Sequence, residues 1–325
     1  MQEKSPHNGI FTISLDFELF WGVWDVTTIK KYGDNIIGVK EVIPRTIALF
    51  NEYDIKATFA TVGFLFAKDR NELVQYFPKT KPTYTNKNYN VYDQEIPLTG
   101  NDEMDDSYHF GYSLLKQILN SPHELATHTF SHYYCLEEGQ TAAQFNADIE
   151  AAIKIAQSKG VRIESIVFPR NQYKEEYLQV LKSNHIKAFR GNPTSWIYKP
   201  RKFTAEILFI RLCRLLDTYL PISGKNTHVI TKTANMPVNI PASRFLKPYN
   251  PHLAWLEKIK LRRIMNEMTK AAQNKELYHL WWHPHNFGSN INENFSNLTI
   301  ISAHYQKLQQ QYGFTNLTMK DAAAH

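Results

Sequence analysis

Ile10 to Phe17 (IFTISLDF) is an apolar run rich in β-branched and aromatic residues that carries a carboxylate near its end, the pattern of a buried strand. Val39 to Tyr53 then places apolar residues at helical spacing, with Pro44 near the first turn of its main body. Ala57 to Val62 (ATFATV) returns to strand character. This β-α-β order predicts parallel strands joined by a crossover helix. Glu124 to Thr127 predicts a third strand. Thr141 to Lys159 predicts a helix: Thr141 can cap it, Phe145, Ile149, Ala152, Ile153 and Ala156 share a face, and Gly160 ends it. Ile163 to Phe168 predicts a strand, Lys174 to Ser183 a helix, and Ile186 to Phe189 a short strand. The remaining pattern predicts helices over 253–272 and 295–312, a strand over Leu277 to Trp282, and a final strand over 315–319.

Two stretches break the rhythm. Residues 68–123 have no sustained period until a short helical pattern at Tyr112 to Leu119, and a loop of that length in a compact domain points to function. Residues 190–250 lose the pattern as well, except for the apolar segment 203–220, which Arg211, Arg214 and Asp217 interrupt. That segment reads first as a helix packed on the domain and second as an interfacial helix making peripheral contact with an anionic membrane. The expected organisation is one α/β domain over residues 8–325, with insertions at about 68–123 and 190–250.

Composition narrows the setting. The chain has 325 residues, 43% of them hydrophobic, enough for a sizeable core. Its apolar runs fall far short of the ~18 residues that cross a bilayer, and the N-terminus lacks the apolar core of a secretory signal, so a cytoplasmic setting is expected. Cys135 and Cys213 match no zinc or redox spacing and read as buried free thiols. The 37 basic and 31 acidic residues leave a mild basic excess of 37 − 31 = 6, which does not suggest nucleic acid. The oligomeric state is not legible.

Ionisable residues recur at the ends of predicted strands: Asp16 and Glu18 after the first, His128 and His132 after the third, Arg170 after the fourth and His283 after the last long one. A parallel sheet or barrel would bring these ends to one rim. His128 and His132, four residues apart, could face one point from a helical turn. Two histidines and a carboxylate are a ligand set for a divalent metal with open positions, zinc first and cobalt, nickel, manganese or iron as alternatives. A second carboxylate could take a proton from water, a paired arginine would hold it ionised, and a further histidine could protonate a leaving amine. Together these roles describe metal-assisted hydrolysis of an amide.

The ordered set Ser14-Leu15-Asp16-Phe17-Glu18, His128-Thr129-Phe130-Ser131-His132, Phe168-Pro169-Arg170 and Leu280-Trp281-Trp282-His283-Pro284 resembles the polysaccharide deacetylase family with the NodB homology domain. The resemblance runs from residue 10 to about 320. It implies an irregular (β/α) barrel and metal-dependent removal of acetyl groups from a saccharide. By position it implies Asp16 as general base, His128 and His132 as metal ligands, Arg170 as the partner orienting the base and His283 as general acid, with His285 as the rival acid. The departure lies in the first motif, where Asp16-Phe17-Glu18 stands in place of two adjacent aspartates. Strand alternation puts residues 16 and 18 on one face, which makes Glu18 the expected third ligand.

Trp21, Tyr133, Trp281 and Trp282 flank these motifs and are the expected substrate contacts, because flat aromatic faces suit sugar rings. The expected activity is removal of acetyl groups from an N-acetylated saccharide, a cytoplasmic precursor of surface polysaccharide. Two rivals stay open: a cyclic amide or imide hydrolase on the same fold, suggested by the form His283 to Gly288, and a carbohydrate-binding relative that has lost its metal.

Overall fold

A computed structural model of the chain describes residues 8–201 and 208–325. The central strand is β1 (Ile10–Phe17), buried along its whole length as a strand covered on both faces must be. To one side the sheet continues through β2 (Thr58–Thr61), β3 (Glu124–Thr127), β4 (Ser165–Ile166), β5 (Ala188–Phe189) and β6 (Val238–Asn239). To the other side, β7 (Arg244–Phe245) is the outer neighbour of β8 (Leu277–Trp282), which pairs with β1. A short β9 (Thr315–Asn316) extends the start of β1. The recorded pairings are parallel, from Ser14 with Thr58 on one flank to Ser14 with Trp281 on the other. The sheet curls into a half-barrel surrounded by helices.

Alternation along β1 sorts its side chains. Phe11, Ile13, Leu15 and Phe17 join the large apolar cluster shared with the helices Val39–Glu52, Ala142–Ser158, Glu257–Asn274 and Ile291–Tyr312. The intervening Ser14 and Asp16 turn to the opposite face, where both meet Arg190. On that face the small residues Ala60, Ala126 and Ala188 pack with Met319, Ala322 and Ala323 of the C-terminal helix Met319–Ala324. The chemistry-bearing residues collect at the rim where the strands end.

The strand and helix pattern of the first half matches expectation closely. Thr141 does cap its helix, in a reciprocal arrangement with Gln144. Three differences stand out. Residues 190–250 contain β6 and β7, two strands of the sheet itself, each only two residues long. The final strand stops at Asn316 and gives way to the helix Met319–Ala324. In the apolar segment 203–220, Leu208–Asp217 is helical, while 203–207 lie outside the described residues. The other irregular stretch, 68–123, carries short helices at Arg70–Gln75, Val91–Gln94 and Tyr112–Leu119. It is tied to the rim by Phe20 N–H donating to the Tyr108 carbonyl (3.1 Å) and Trp21 Nε1–H donating to the His109 carbonyl (2.7 Å). Both cysteines are free and buried.

Candidate active site

Glu18 is the hub of the rim. It follows β1 as the first residue of a tight turn over Leu19–Gly22, and its carboxylate is buried. Its Oε2 lies 3.2 Å from His128 Nε2 and 3.3 Å from His132 Nε2. His128 Nδ1 is 2.9 Å from the Val167 carbonyl, which can only accept, so in the neutral ring the proton sits on Nδ1 and Nε2 presents a lone pair. A lone pair facing a carboxylate oxygen at that distance is repulsive unless a cation lies between them. Glu18 Oε2 accordingly has no hydrogen-bond partner among the described residues. Ligand atoms about 3.3 Å apart also match the edge of a tetrahedron with metal bonds of about 2 Å. The donor set therefore fits a divalent ion.

His285 organises the other half of the Glu18 carboxylate. Asn286 Nδ2–H donates to Tyr32 Oη (3.1 Å), which leaves the Tyr32 hydroxyl to donate to His285 Nδ1 (2.9 Å) and His285 Nε2–H to donate to Glu18 Oε1 (3.0 Å). One oxygen is thus pinned while the other faces the imidazoles. Burial pushes the Glu18 pKa up, but His283 and the close imidazoles of His128, His132 and His285 outweigh it and hold the carboxyl well below its usual range. Gly22 makes room for this arrangement: a Cβ there would lie 1.9 Å from the Glu18 Cδ.

The histidine pair does not sit on a helical turn, as the four-residue spacing had suggested. Thr129 and His132 have φ of 63° and 55°, and these left-handed residues fold the segment so that both rings point at Glu18. Asp148, from the helix Ala142–Ser158, holds the turn by accepting from Phe130 N–H (2.7 Å), Ser131 N–H (3.2 Å) and the Ser131 hydroxyl. Burial raises the Asp148 pKa to about 7 against those three donors.

Asp16 lies beside the hub, its pKa raised by burial but brought below the ordinary value by Arg190, His128 and His283. The expected partner of Asp16 was Arg170; the structure corrects this. Arg190, immediately after β5, grips Asp16 with two parallel hydrogen bonds of 2.7 Å each. Arg170 instead pairs with Asp25 and stacks over Tyr134, its guanidinium carbon 3.9 Å from the ring centroid. The reason is local: Arg170 and Asn171 both have positive φ, and this reversal after β4 carries the Arg170 side chain to Asp25. Arg190 is itself held. Its Nη1–H donates to Ser14 Oγ (2.9 Å), Ser14 donates to His279 Nε2 (2.8 Å), and His279 Nδ1–H donates to the Ile240 carbonyl (3.0 Å).

His283 follows β8, with Nε2 3.6 Å from both Asp16 Oδ2 and Glu18 Oε1. Its side chain is 24% exposed against 3% for His285, and it lines a cavity of about 520 Å³. Burial lowers the His283 pKa more than the two carboxylates raise it. Together with Glu18, His283 and His285 form a second cluster with metal-ligand spacing, although His285 Nε2 is occupied by its proton toward Glu18.

Of the four aromatic residues expected to contact substrate, Trp281 lines the cavity. Trp21, Tyr133 and Trp282 do not; each is fully buried, Trp21 against Phe64, Tyr133 against Phe145 and Trp282 stacked on Phe287. Sequence reasoning missed Arg190, Asp148, Ser14 and His279. Arg190 carried a usable signal, because it directly follows a predicted strand.

Residues 32–189 match the family model described as polysaccharide deacetylase. No curated protein matches the sequence. Among solved structures, a probable polysaccharide deacetylase from Pseudomonas aeruginosa PAO1 superposes with a TM-score of 0.57 at 9% identity, covering 97% of this chain and 90% of that one. A Mycobacterium smegmatis protein assigned provisionally as a polysaccharide deacetylase also gives 0.57, at 10% identity and covering 97% and 95%. Puue allantoinase gives 0.57 at 11% identity, covering 99% and 93%, so several chemistries share this fold. Residues 32–189 are thus similar to the polysaccharide deacetylase family, and nearly the whole chain shares the fold of these solved structures.

Proposed function

We propose that the chain is a metal-dependent hydrolase that removes an acetyl group from an N-acetylated saccharide. The observation that carries this reading is Glu18 Oε2 set 3.2 and 3.3 Å from two imidazole nitrogens, of which that of His128 presents a lone pair when the ring is neutral. Glu18, His128 and His132 would hold a divalent ion, zinc first, with cobalt, nickel, manganese or iron as alternatives. When bound, such an ion lowers the pKa of water and polarises the acetyl carbonyl. Asp16, kept ionised and fixed in direction by the two Arg190 hydrogen bonds, takes the proton of the attacking water. His283, the histidine that faces the cavity, gives a proton to the departing nitrogen as the carbon–nitrogen bond breaks. His285 acts as a positioning residue, because its Nε2 proton is committed to Glu18. The products are acetate and the free amine.

The test is acetate release by the zinc- or cobalt-loaded protein from a panel of N-acetylated saccharides that includes chitin oligomers and lipid-linked sugars. Release that disappears in Asp16→Asn supports the reading. Release from none of them, with ring opening of a cyclic imide instead, would replace it by the rival hydrolase.

A further inference from the structure

The cavity beside His283 has a one-sided charge. Lys199, Arg201, Arg211, Arg214 and Lys247 line it, together with Arg170 and Arg244. Among the described residues that line it there is no aspartate or glutamate. Arg244 is answered from behind by Glu267, at 2.7 and 2.8 Å, and Arg170 by Asp25, so those two cations are built into the wall. Lys247 differs. It is half-buried, burial depresses its pKa, and among the described residues no carboxylate pairs with its ammonium. Arg201 spends two of its donors on the carbonyls of Lys199 and Trp196, which fixes its guanidinium at the wall.

A partly desolvated lysine in an acid-free cavity is costly unless an anion completes it. The apolar floor, Phe245 packed on Trp281 with centroids 4.8 Å apart, lies next to His283 and offers a face for a sugar ring. Several cations and a flat aromatic surface together suit a saccharide carrying a phosphate or diphosphate. We propose that the cavity is a subsite for a phosphoryl group attached to the saccharide, held by Lys247, Lys199 and Arg201 while the acetamide lies at His283. This deepens the deacetylase reading and rests on it for the identity of the saccharide.

A phosphoryl group of this kind could belong to a nucleoside diphosphate sugar or to a polyprenyl-linked sugar. The helix Leu208–Asp217 brings Arg214 to the cavity while leaving Leu208, Phe209, Leu212 and Leu216 exposed, so a lipid-linked form belongs in the test. Binding is measured first, on metal-free protein, because diphosphate also binds divalent ions. Inorganic diphosphate titrated calorimetrically should bind at one site per chain, more weakly as salt is added. Lys199→Gln/Lys247→Gln should weaken it about tenfold or more, and the exposed Lys199→Gln alone by less. No saturable binding, or equal binding by the double variant, overturns the proposal.

Steady-state deacetylation is then compared for a free N-acetylhexosamine, its 1-phosphate, its nucleoside diphosphate form and its polyprenyl diphosphate form. At least one phosphorylated form should show a KM about tenfold or more below that of the free sugar, and the double variant should lose that advantage. Equal KM values for all forms count against the subsite. Diphosphate binding without acetate release from any form would leave the subsite standing and remove the deacetylase reading.

Discussion

Gly22 and Asp148 support the cluster without touching a ligand atom of the histidines, and each gives a sharp residue-level test. In Gly22→Ala the new methyl group would overlap Glu18, so the carboxylate must leave its place between the imidazoles. Metal affinity should fall about 100-fold or more, measured by competition with a chromophoric chelator. Asp148→Ala strips the acceptor from two backbone amides and a hydroxyl in the histidine turn. It should cost about 1–3 kcal/mol in urea unfolding for each donor left unpaired, and weaken metal binding as well. For the proposed base, Arg190→Met should lower kcat about 100-fold or more with KM little changed, since it removes the groups that orient Asp16. If Arg170→Met produced that kcat loss and Arg190→Met did not, the pairing seen here would not be the functional one. The convergence of Asp16, Glu18, His128, His132 and His283 was legible because each sits at a strand end beside a recognisable motif. Arg190 was equally at a strand end, but it lacks such a motif, and the Phe-Pro-Arg motif drew the role to Arg170.

At the scale of elements, β1 was readable because eight residues of apolar and β-branched character leave little choice. β6 and β7 were not, because two residues carry no period, and their place in the sheet is decided by the neighbours that pair with them. The histidine turn was misread for a related reason: left-handed backbone at threonine and histidine leaves no trace in residue type. Two buried histidines tie the strands to pH. Burial lowers His123 to about 4 and His279 to about 3, against 6.5 for an ordinary histidine. As pH falls, the unfolded chain takes up these protons first, so the stability they contribute is complete above about 6.5 and is lost progressively down to about pH 3. One pKa unit is worth about 1.4 kcal/mol, so the two together should have lost about 4 kcal/mol by pH 5. Urea unfolding at pH 7.5, 6 and 5 should show that slope, and His123→Phe should flatten it; a pH-independent midpoint would mean these imidazoles are charged in the fold.

At the scale of the whole molecule, parallel pairing is what turns scattered residues into a site. Asp16, His128, Arg190 and His283 come from four strand ends separated by as much as 267 residues, and only a curled sheet with the strands running one way puts them on one rim. Parallel strands with their ends at one rim were therefore legible from order and polarity, while the barrel was implied by the family resemblance. The walls of the cavity were not, because they come from the irregular stretch 190–250, where the chain's only guide is how it packs against β8 and the helix Glu257–Asn274. No helix among the described residues is long and apolar enough to cross a membrane. The claim on which the rest depends is that Glu18, His128 and His132 hold one metal ion. Equilibrium dialysis of metal-free protein against zinc tests it most directly. One zinc per chain is expected, with none retained at the same free zinc by Glu18→Gln or His132→Gln. Wild-type protein that binds no zinc, or a Glu18→Gln variant that binds it as tightly as wild type, would contradict the account.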